Sequence, residues 1–163
     1  MRTATVKLYD LTDALEMDSE TISSWLDRNT GKVVMVESEV MDAVEAEEED
    51  DLLDWQREEL VAARAISAGD PRYLALPTKF DFHEYRYMEK FIGTIADAAK
   101  ADQLWQAIKG KGAFRYFKDT AHRLDVIDDW YRYRDEAMNE FMLRWAEVNE
   151  ITVDQAPRGP AQS

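Results

Sequence analysis

The sequence has no cysteine among its 163 residues. A disulfide framework and a thiolate metal site are therefore excluded. The amino-terminal region also lacks the unbroken apolar stretch that a signal peptide or a membrane helix needs. These absences predict a cytoplasmic protein with no membrane association.

Basic residues are few in comparison with acidic residues. The chain has 20 lysines and arginines against 34 aspartates and glutamates, which gives a formal net charge of -14. Because polyanions repel such a chain at long range, direct nucleic-acid binding is the least favoured of the functions considered. A local basic site for an acidic partner remains compatible with this composition.

Signatures of catalysis and of metal binding are also missing. The sequence contains no recognised nucleophile motif, no metal-ligand cluster and no complete phosphate-binding loop. His83 and His122 lack the spacing of metal ligands, and His83-Glu84 falls short of the longer zinc-protease motif. We therefore predict no metal and no cofactor, and favour a binding role over an enzymatic one.

The chain has the length and the aromatic content of one folded domain. It contains 163 residues, with 5 tryptophans, 7 tyrosines and 6 phenylalanines to build a core. We predict a single domain over residues 1–151. Residues 152–163 contain proline, are polar and lack periodicity, so they are predicted to form a mobile tail.

The amino-terminal part has the pattern of a short helix followed by a hairpin. Asp10 is placed to cap a helix that ends at Met17. Ile22–Arg28 and Lys32–Glu37 are predicted to form a hairpin that closes at Gly31, because glycine adopts the left-handed conformation readily. A helix over Ile22–Arg28 is the alternative.

The segment after the hairpin is predicted to contain helices and a third strand. Ser38 begins a helical pattern that the acidic run Glu45–Asp51 interrupts, which indicates two helices or one frayed helix. Arg72–Leu76 alternates as a strand does, and Pro77 ends the alternation. This third strand is expected to pair with the hairpin.

The carboxy-terminal half is predicted to be helical. Asp81 is placed as a cap, and Glu84 completes a capping box for a helix that begins at Phe82. Shorter helices are expected on both sides of Gly110 and Gly112. The last helix has one apolar stripe, formed by Ile127, Trp130, Tyr131, Met138, Phe141, Met142 and Trp145. The predicted fold class is α+β, with a small three-stranded antiparallel sheet packed against a predominantly helical carboxy-terminal half.

Basic and aromatic residues concentrate in one segment of this acidic chain. Lys109–Asp119 reads Lys-Gly-Lys-Gly-Ala-Phe-Arg-Tyr-Phe-Lys-Asp, and Trp130–Arg134 follows it closely. A glycine turn that leads into a helix directs free backbone amides outward, which suits an anion. A simple helix join is the competing structural interpretation. The candidate binding residues are Lys111, Arg115, Lys118, Asp119, Trp130 and Arg134.

Several short motifs occur in the order and spacing of a known family. They are Leu11–Glu16, Asp27–Val34, Arg72–Pro77, Met88–Ile92, Gly110–Asp119 and Trp130–Arg134. Each motif is weak alone, but together they extend over most of the chain. The chain resembles the bacterial uncharacterised protein family 0158. This resemblance implies no biochemical activity that is assigned to particular residues.

Two of the functional hypotheses are binding functions. The first is a small bacterial cytoplasmic binding or regulatory module whose exposed basic and aromatic residues recognise a protein or a small anionic ligand, with the acidic segment tuning partner choice. The second treats Glu37–Glu59 as an acidic mimic of nucleic acid. The oligomeric state is open.

A third hypothesis makes the basic segment the pocket of a phosphate-substrate enzyme. Arg115, Lys118 and Arg134 would supply positive charge, and Asp119 or Glu89 would supply acid–base chemistry. Arg134 falls on the apolar stripe, where a guanidinium needs a carboxylate or carbonyl partner, and Asp119 and Glu89 are the candidates. A structural ion pair is therefore the competing interpretation of Arg134.

Overall fold

The computed structural model of the protein describes residues 3–159. Within this range the chain forms two compact units, one of residues 3–81 with 142–159 and the other of residues 82–141. The single domain over residues 1–151 stays a prediction. Residues 160–163 of the predicted tail lie outside the described residues.

The first unit begins with a two-residue strand, β1 (Val6–Lys7), that leads directly into helix α1 (Leu8–Met17). Leu11 and its neighbours one turn later are buried, as the helical spacing predicts. Asp10 is not the cap. It lies in the first turn, because the helix begins three residues earlier than we predicted, and there its charge still favours the helix N-terminus.

A three-stranded antiparallel sheet follows α1. Strand β2 (Ile22–Asp27) is central, and it pairs with β3 (Lys32–Glu37) on one side and with β4 (Tyr73–Ala75) on the other. The predicted hairpin, the third strand and the α+β class are confirmed. A helix over Ile22–Arg28 was the wrong alternative.

Gly31 closes the hairpin in the left-handed conformation, with φ of 75°. Its N–H donates to the Asp27 carbonyl oxygen at 2.8 Å. A Cβ at this position would lie 2.2 Å from the Thr5 carbonyl oxygen. Glycine is therefore required by both the backbone angle and the neighbouring chain.

Replacing Gly31 with alanine is expected to lower the free energy of unfolding by about 2–3 kcal/mol, because backbone strain adds to the displacement of Thr5. Urea unfolding would measure the loss. Gly69 is the matched control, since it has φ of 78° and no described atom within 4 Å of an added Cβ. Equal losses for the two variants would show that the approach of Thr5 is unimportant.

Two helices separated by the acidic run pack beside the sheet. Helix α2 (Ser38–Glu45) and helix α3 (Leu60–Ser67) are joined by the 3₁₀ turns Glu49–Asp51 and Gln56–Glu59, which confirms the interruption that we predicted. Buried residues of β3, α2, α3 and the connection form one core cluster, namely Val36, Val40, Leu52, Leu60, Ala62 and Ala63.

The carboxy-terminal half is helical, as predicted. In chain order its helices are α4 (Lys79–Phe82), α5 (Glu84–Ile92), α6 (Ala98–Ala107), α7 (Ala113–Arg123) and α8 (Ile127–Val148). The core of the second unit is formed by Met88, Phe91, Ile92, Leu104, Ile108, Ala113, Phe117, Ala121, Val126, Ile127 and Trp130.

Asp81 does not cap a helix that begins at Phe82. His83 has φ of 55°, which separates α4 from α5, so α5 begins at Glu84. The Asp81 carboxylate instead accepts from the Thr78 N–H at 2.9 Å, and the Thr78 hydroxyl accepts from the Asp81 N–H at 3.3 Å. Thr78 and Asp81 therefore form the capping box one turn earlier, around α4.

The apolar stripe of α8 differs from the prediction at one aromatic residue. Tyr131 is exposed, whereas Ala137 and Ala146 are buried beside the methionines of the stripe. A straight helix has 3.6 residues per turn, so the position of a residue around the helix axis decides whether it faces the core. Small residues on the core-facing side are therefore buried, whereas a larger residue beside the stripe is exposed.

Strand β5 (Val153–Asp154) pairs in parallel with β1, with Val6 opposite Val153. The Val6 N–H donates to the Thr152 carbonyl oxygen at 3.1 Å, and Val6 is fully buried. Part of the segment that we predicted to be a tail is thus a strand, and the mobility of the segment stays a prediction. Within residues 3–159, no helix is long and apolar enough to cross a membrane.

Candidate functional site

Helix α7 separates apolar and charged residues onto opposite sides. Its apolar side is buried in the core of the second unit through Ala113, Phe117 and Ala121, which are spaced by one helical turn. The other side is exposed. We define the basic-aromatic face as Lys111, Phe114, Arg115 and Lys118.

The two glycines before α7 are explained by the backbone conformation at this helix join. Gly110 and Gly112 have φ of 87° and 75°, and the Gly112 carbonyl oxygen accepts the first helical hydrogen bond from the Tyr116 N–H at 3.0 Å. A Cβ on Gly112 would lie 3.1 Å from the Tyr116 ring. These contacts support the interpretation of the segment as a tight helix join.

Asp119 lies beside the basic-aromatic face. The Arg115 Nε and the Asp119 Oδ2 are 4.0 Å apart, one helical turn from each other. The Arg115 side chain is 86% exposed, so this ion pair is in contact with solvent and contributes little to stability. Both groups remain accessible to a partner.

Trp130 lies in the core, although we predicted it as a binding residue. It is 1% exposed, and its ring centroid is 5.0 Å from that of Phe117 and 5.5 Å from that of Phe91. The helical stripe of α8 carries the indole into the aromatic core. The structure therefore groups Trp130 with the residues that hold the second unit together.

Arg134 forms an ion pair with Glu84, in which the Arg134 Nε donates to the carboxylate and both side chains are mostly buried. We had named Asp119 and Glu89 as the candidate partners. Glu84 is the first residue of α5, because the left-handed backbone at His83 separates α4 from α5. The capping pattern in the sequence instead predicted Glu84 inside a helix that begins at Phe82. The structure thus places Arg115, Lys118 and Asp119 on the exposed side of α7, with Lys111 exposed two residues before the helix begins. Trp130 and Arg134 lie on α8.

A second strong electrostatic contact joins the end of β2 to the residue directly before β4. The Asp27 carboxylate accepts from the Arg72 Nε and Nη2, both at 2.8 Å, and from the Asn29 N–H at 3.0 Å. The hydrogen bonds from Arg72 lower the pKa of Asp27 to about 2, while Asp27 raises the pKa of Arg72. Because this carboxylate stays ionised and bound, the pair holds strands together and is not poised to transfer a proton.

Sequence reasoning did not single out the Asp27–Arg72 pair. Its only local signal is an aspartate directly before the Asn29-Thr30-Gly31 turn, a position where such side chains accept from the backbone. The arginine lies 45 residues further along the chain, so no local pattern connects the two.

The acidic run Glu45–Asp51 is mostly exposed to solvent, and one of its residues, Glu49, is held by an arginine. Glu49 accepts two hydrogen bonds from Arg64, at 2.8 and 2.6 Å, and this contact lowers the pKa of Glu49. Leu53 and Trp55 are exposed directly after the run. In the part of the chain that the structure describes, no three His, Cys, Asp or Glu side chains form a group that could hold a metal ion.

Comparisons with known proteins place the chain among uncharacterised relatives. A family model described as "Uncharacterised protein family (UPF0158)" matches residues 1–156. One similar protein, UPF0158 protein PA5073 of Pseudomonas aeruginosa, is 28% identical over 152 residues, which cover 93% of this chain and 87% of the relative. No solved structure matches the chain.

Proposed function

Because the chain belongs to UPF0158, an uncharacterised family, we propose a function from its own geometry. It is a small cytoplasmic protein-binding module that uses the basic-aromatic face of α7 to bind an acidic segment of a partner protein. The observation that carries this proposal is an exposed phenylalanine among cations on a chain with a net charge of -14.

The composition of the face supports protein binding. Phe114 is 46% exposed, and Lys118 follows it one helical turn later. Aromatic residues and arginine are enriched in the parts of protein interfaces that contribute most to affinity. The exposed ring would supply apolar contact, while Arg115 would bind a carboxylate in the fork geometry of a guanidinium.

The shape of the face favours a protein over a small ligand. Small-molecule sites are concave and enclose most of the ligand, whereas the Arg115 side chain is 86% exposed on the outer side of a helix. The enzyme hypothesis needs Arg115 and Arg134 to converge on one substrate. Arg134 is mostly buried in its ion pair with Glu84, so the enzyme hypothesis receives less support than the binding hypothesis.

The rest of the surface would direct such a partner to α7. An acidic segment is repelled by the run Glu45–Asp51 and attracted by the basic-aromatic face. Like charges suppress wrong encounters and opposite charges accelerate the correct encounter, so the charge pattern sets orientation more than affinity.

The test is charge reversal of Lys111 and Arg115 to glutamate. A photoreactive amino acid at Phe114 would first capture and identify a partner from the native host. The double variant is then expected to bind that partner roughly tenfold or more weakly, with most of the salt dependence lost, because two complementary charges become repulsive. Titration calorimetry at two salt concentrations would measure both effects.

The matched control reverses Lys32 and Lys79, which are exposed residues of the first unit and give the same change in net charge. It is expected to bind within about twofold of the original chain, because Lys32 and Lys79 are not residues of the basic-aromatic face and exposed charges outside a contact are screened. Equal weakening by both double variants would remove α7 from the interface.

A further inference from the structure

The connection between α2 and α3 exposes two large apolar side chains among acidic residues. Leu53 is 58% exposed and Trp55 is 56% exposed. We define the acidic-apolar loop as Asp51, Leu53, Asp54, Trp55 and Glu58, all of which are exposed. Single exposed apolar residues are normal on protein surfaces, so this loop alone does not identify a partner.

The acidic-apolar loop is held in place by a buried glutamine. Gln56 is 2% exposed. Its Oε1 accepts from the Leu53 N–H at 2.9 Å, and its Nε2 donates to the Glu39 carboxylate at 2.8 Å. Leu52 is buried in the core cluster of the first unit. Because Leu52 and Gln56 fix the backbone, the outward placement of Leu53 and Trp55 is organised before binding, which lowers the entropic cost of a contact.

The basic-aromatic face of α7 has the complementary composition. It carries three cations and one exposed phenylalanine, whereas the acidic-apolar loop carries three carboxylates and two exposed apolar side chains. The Arg115 side chain is 86% exposed, and a guanidinium binds both the face of an indole ring and a carboxylate. Both halves of a charged and apolar contact are therefore present on the same chain.

The net charge of the chain belongs almost entirely to the first unit. Residues 82–141 contain ten lysines and arginines against eleven aspartates and glutamates, so nearly all of the net charge of -14 lies in the rest of the chain. The acidic-apolar loop of one copy thus meets a second unit of another copy that is close to neutral and carries cations on α7. Repulsion between whole copies acts at longer range, and physiological salt screens it beyond about 8 Å.

We propose that the partner of the basic-aromatic face is a second copy of this chain, whose acidic-apolar loop docks on α7. This inference rests on the function proposed for α7. Trp55 packs on the Arg115 guanidinium and Leu53 packs on Phe114, with the carboxylates of the loop beside the lysines of the face. Because the two joined surfaces are different, the contact is head-to-tail, and two joined copies leave one surface of each kind for a further copy.

Self-association of the full chain is the first measurement. Analytical ultracentrifugation from about 10 µM to about 1 mM, at physiological salt, is expected to show reversible association with a Kd on the order of 100 µM, since a small contact gives weak affinity. A monomer throughout this range would overturn the inference. The function proposed for α7 would then stand with another protein as the partner.

Two double variants each remove one of the two surfaces. Lys111→Glu with Arg115→Glu reverses the charge of the basic-aromatic face, and Asp54→Asn with Trp55→Ala removes a charge and the indole from the loop. Each variant alone is expected to associate roughly tenfold or more weakly, because anchors and complementary charges are lost. An equimolar mixture restores one complete contact and is expected to stop at the dimer. A mixture that stays monomeric would overturn the head-to-tail pairing.

The matched control for the loop variant is Glu147→Gln with Val148→Ala. These neighbours are an exposed acid and an apolar residue that is 81% exposed, and they belong to the same unit as the loop. The control makes the same change in net charge and is expected to associate within about twofold of the original chain. Equal weakening by the control and by the loop variant would overturn the loop as the docking segment.

A photoreactive amino acid at Phe114 separates this inference from the function on which it rests. Purified ¹⁴N and ¹⁵N chains are mixed equally and irradiated, and cross-links from residue 114 to residues 51–58 of a chain with the other label are expected. Cross-linked pairs of a single isotope only would overturn the second copy as the occupant. In the native host, capture of a different protein and no second copy would overturn this inference and leave the proposed function intact. Capture of neither would reject both.

Discussion

Replacement of Trp130 by alanine is expected to lower the free energy of unfolding by about 3–5 kcal/mol. The indole is 1% exposed, lies against Phe91 and Phe117, and stacks on Tyr133 with a centroid distance of 6.3 Å. Its removal leaves a cavity in the aromatic core that the surrounding rings fill only in part. Urea unfolding, followed by far-ultraviolet circular dichroism, would measure the loss.

Two control variants separate packing from other roles of Trp130. Trp130→Phe should lose only about 1–2 kcal/mol, because most of the ring volume stays, and in the described part of the chain the Nε1 has no hydrogen-bond partner to lose. Tyr131→Ala, at the adjacent exposed position, should change stability little. A Trp130→Ala variant that unfolds normally but fails to bind a partner would restore Trp130 as a binding residue.

Asp27→Asn is expected to cost about 2–3 kcal/mol of stability at neutral pH. Asp27 is 5% exposed and holds both donors of Arg72 as well as the Asn29 N–H. An asparagine keeps one acceptor and brings a donor toward the guanidinium, so the contact is broken on one side. The loss is measured from urea unfolding at neutral pH.

The size of this loss should depend on pH. The folded-state pKa of Asp27 is lowered to about 2 from an ordinary value of 3.8, so ionised Asp27 contributes about 2 kcal/mol. That stability is fully present above about pH 5 and is lost as the pH falls through 3.8 toward 2. The difference between the original chain and Asp27→Asn should therefore shrink across this window.

Asp54→Asn is the control for the pH profile, because Asp54 is fully exposed and lies 4.0 Å from Arg57. Its profile should follow that of the original chain at every pH. A difference for Asp27→Asn that stays constant down to pH 2 would mean that the loss comes from altered packing and not from the lost charge.

Local patterns predicted the parts of the fold that depend on a few adjacent residues. Gly31 marks the hairpin turn, Pro77 lies two residues after the third strand, and the acidic run separates α2 from α3. The predicted cap of the helix after Pro77 was wrong, because Thr78 and Asp81 are both residue types that cap helices. Which of them is the cap depends on the left-handed backbone at His83. Competing caps are not distinguished by sequence pattern alone.

Sequence spacing predicted the positions of the candidate residues where they are close in the chain, while their role as a binding site stays a prediction. Arg115 and Lys118 are exposed on α7, and Lys111 is exposed two residues before this helix begins. The partner of Arg134 was missed because it belongs to another helix, α5, and depends on how α5 and α8 pack. A groove in the first unit was missed for the same reason, since its lining extends from Asp18 to Thr78 and contains no recognised motif.

The pairing of β1 with β5 has a consequence for the order in which the chain is made. Val6 is translated before the second unit, but its partner Val153 is added only after residues 82–141 have been synthesised. At about 5–20 residues per second, the first strand waits roughly seven to thirty seconds for its pair. Residues 82–141 are continuous and become available for folding during that interval. The first unit is therefore completed after the second, although Val6 is translated before any residue of the second unit.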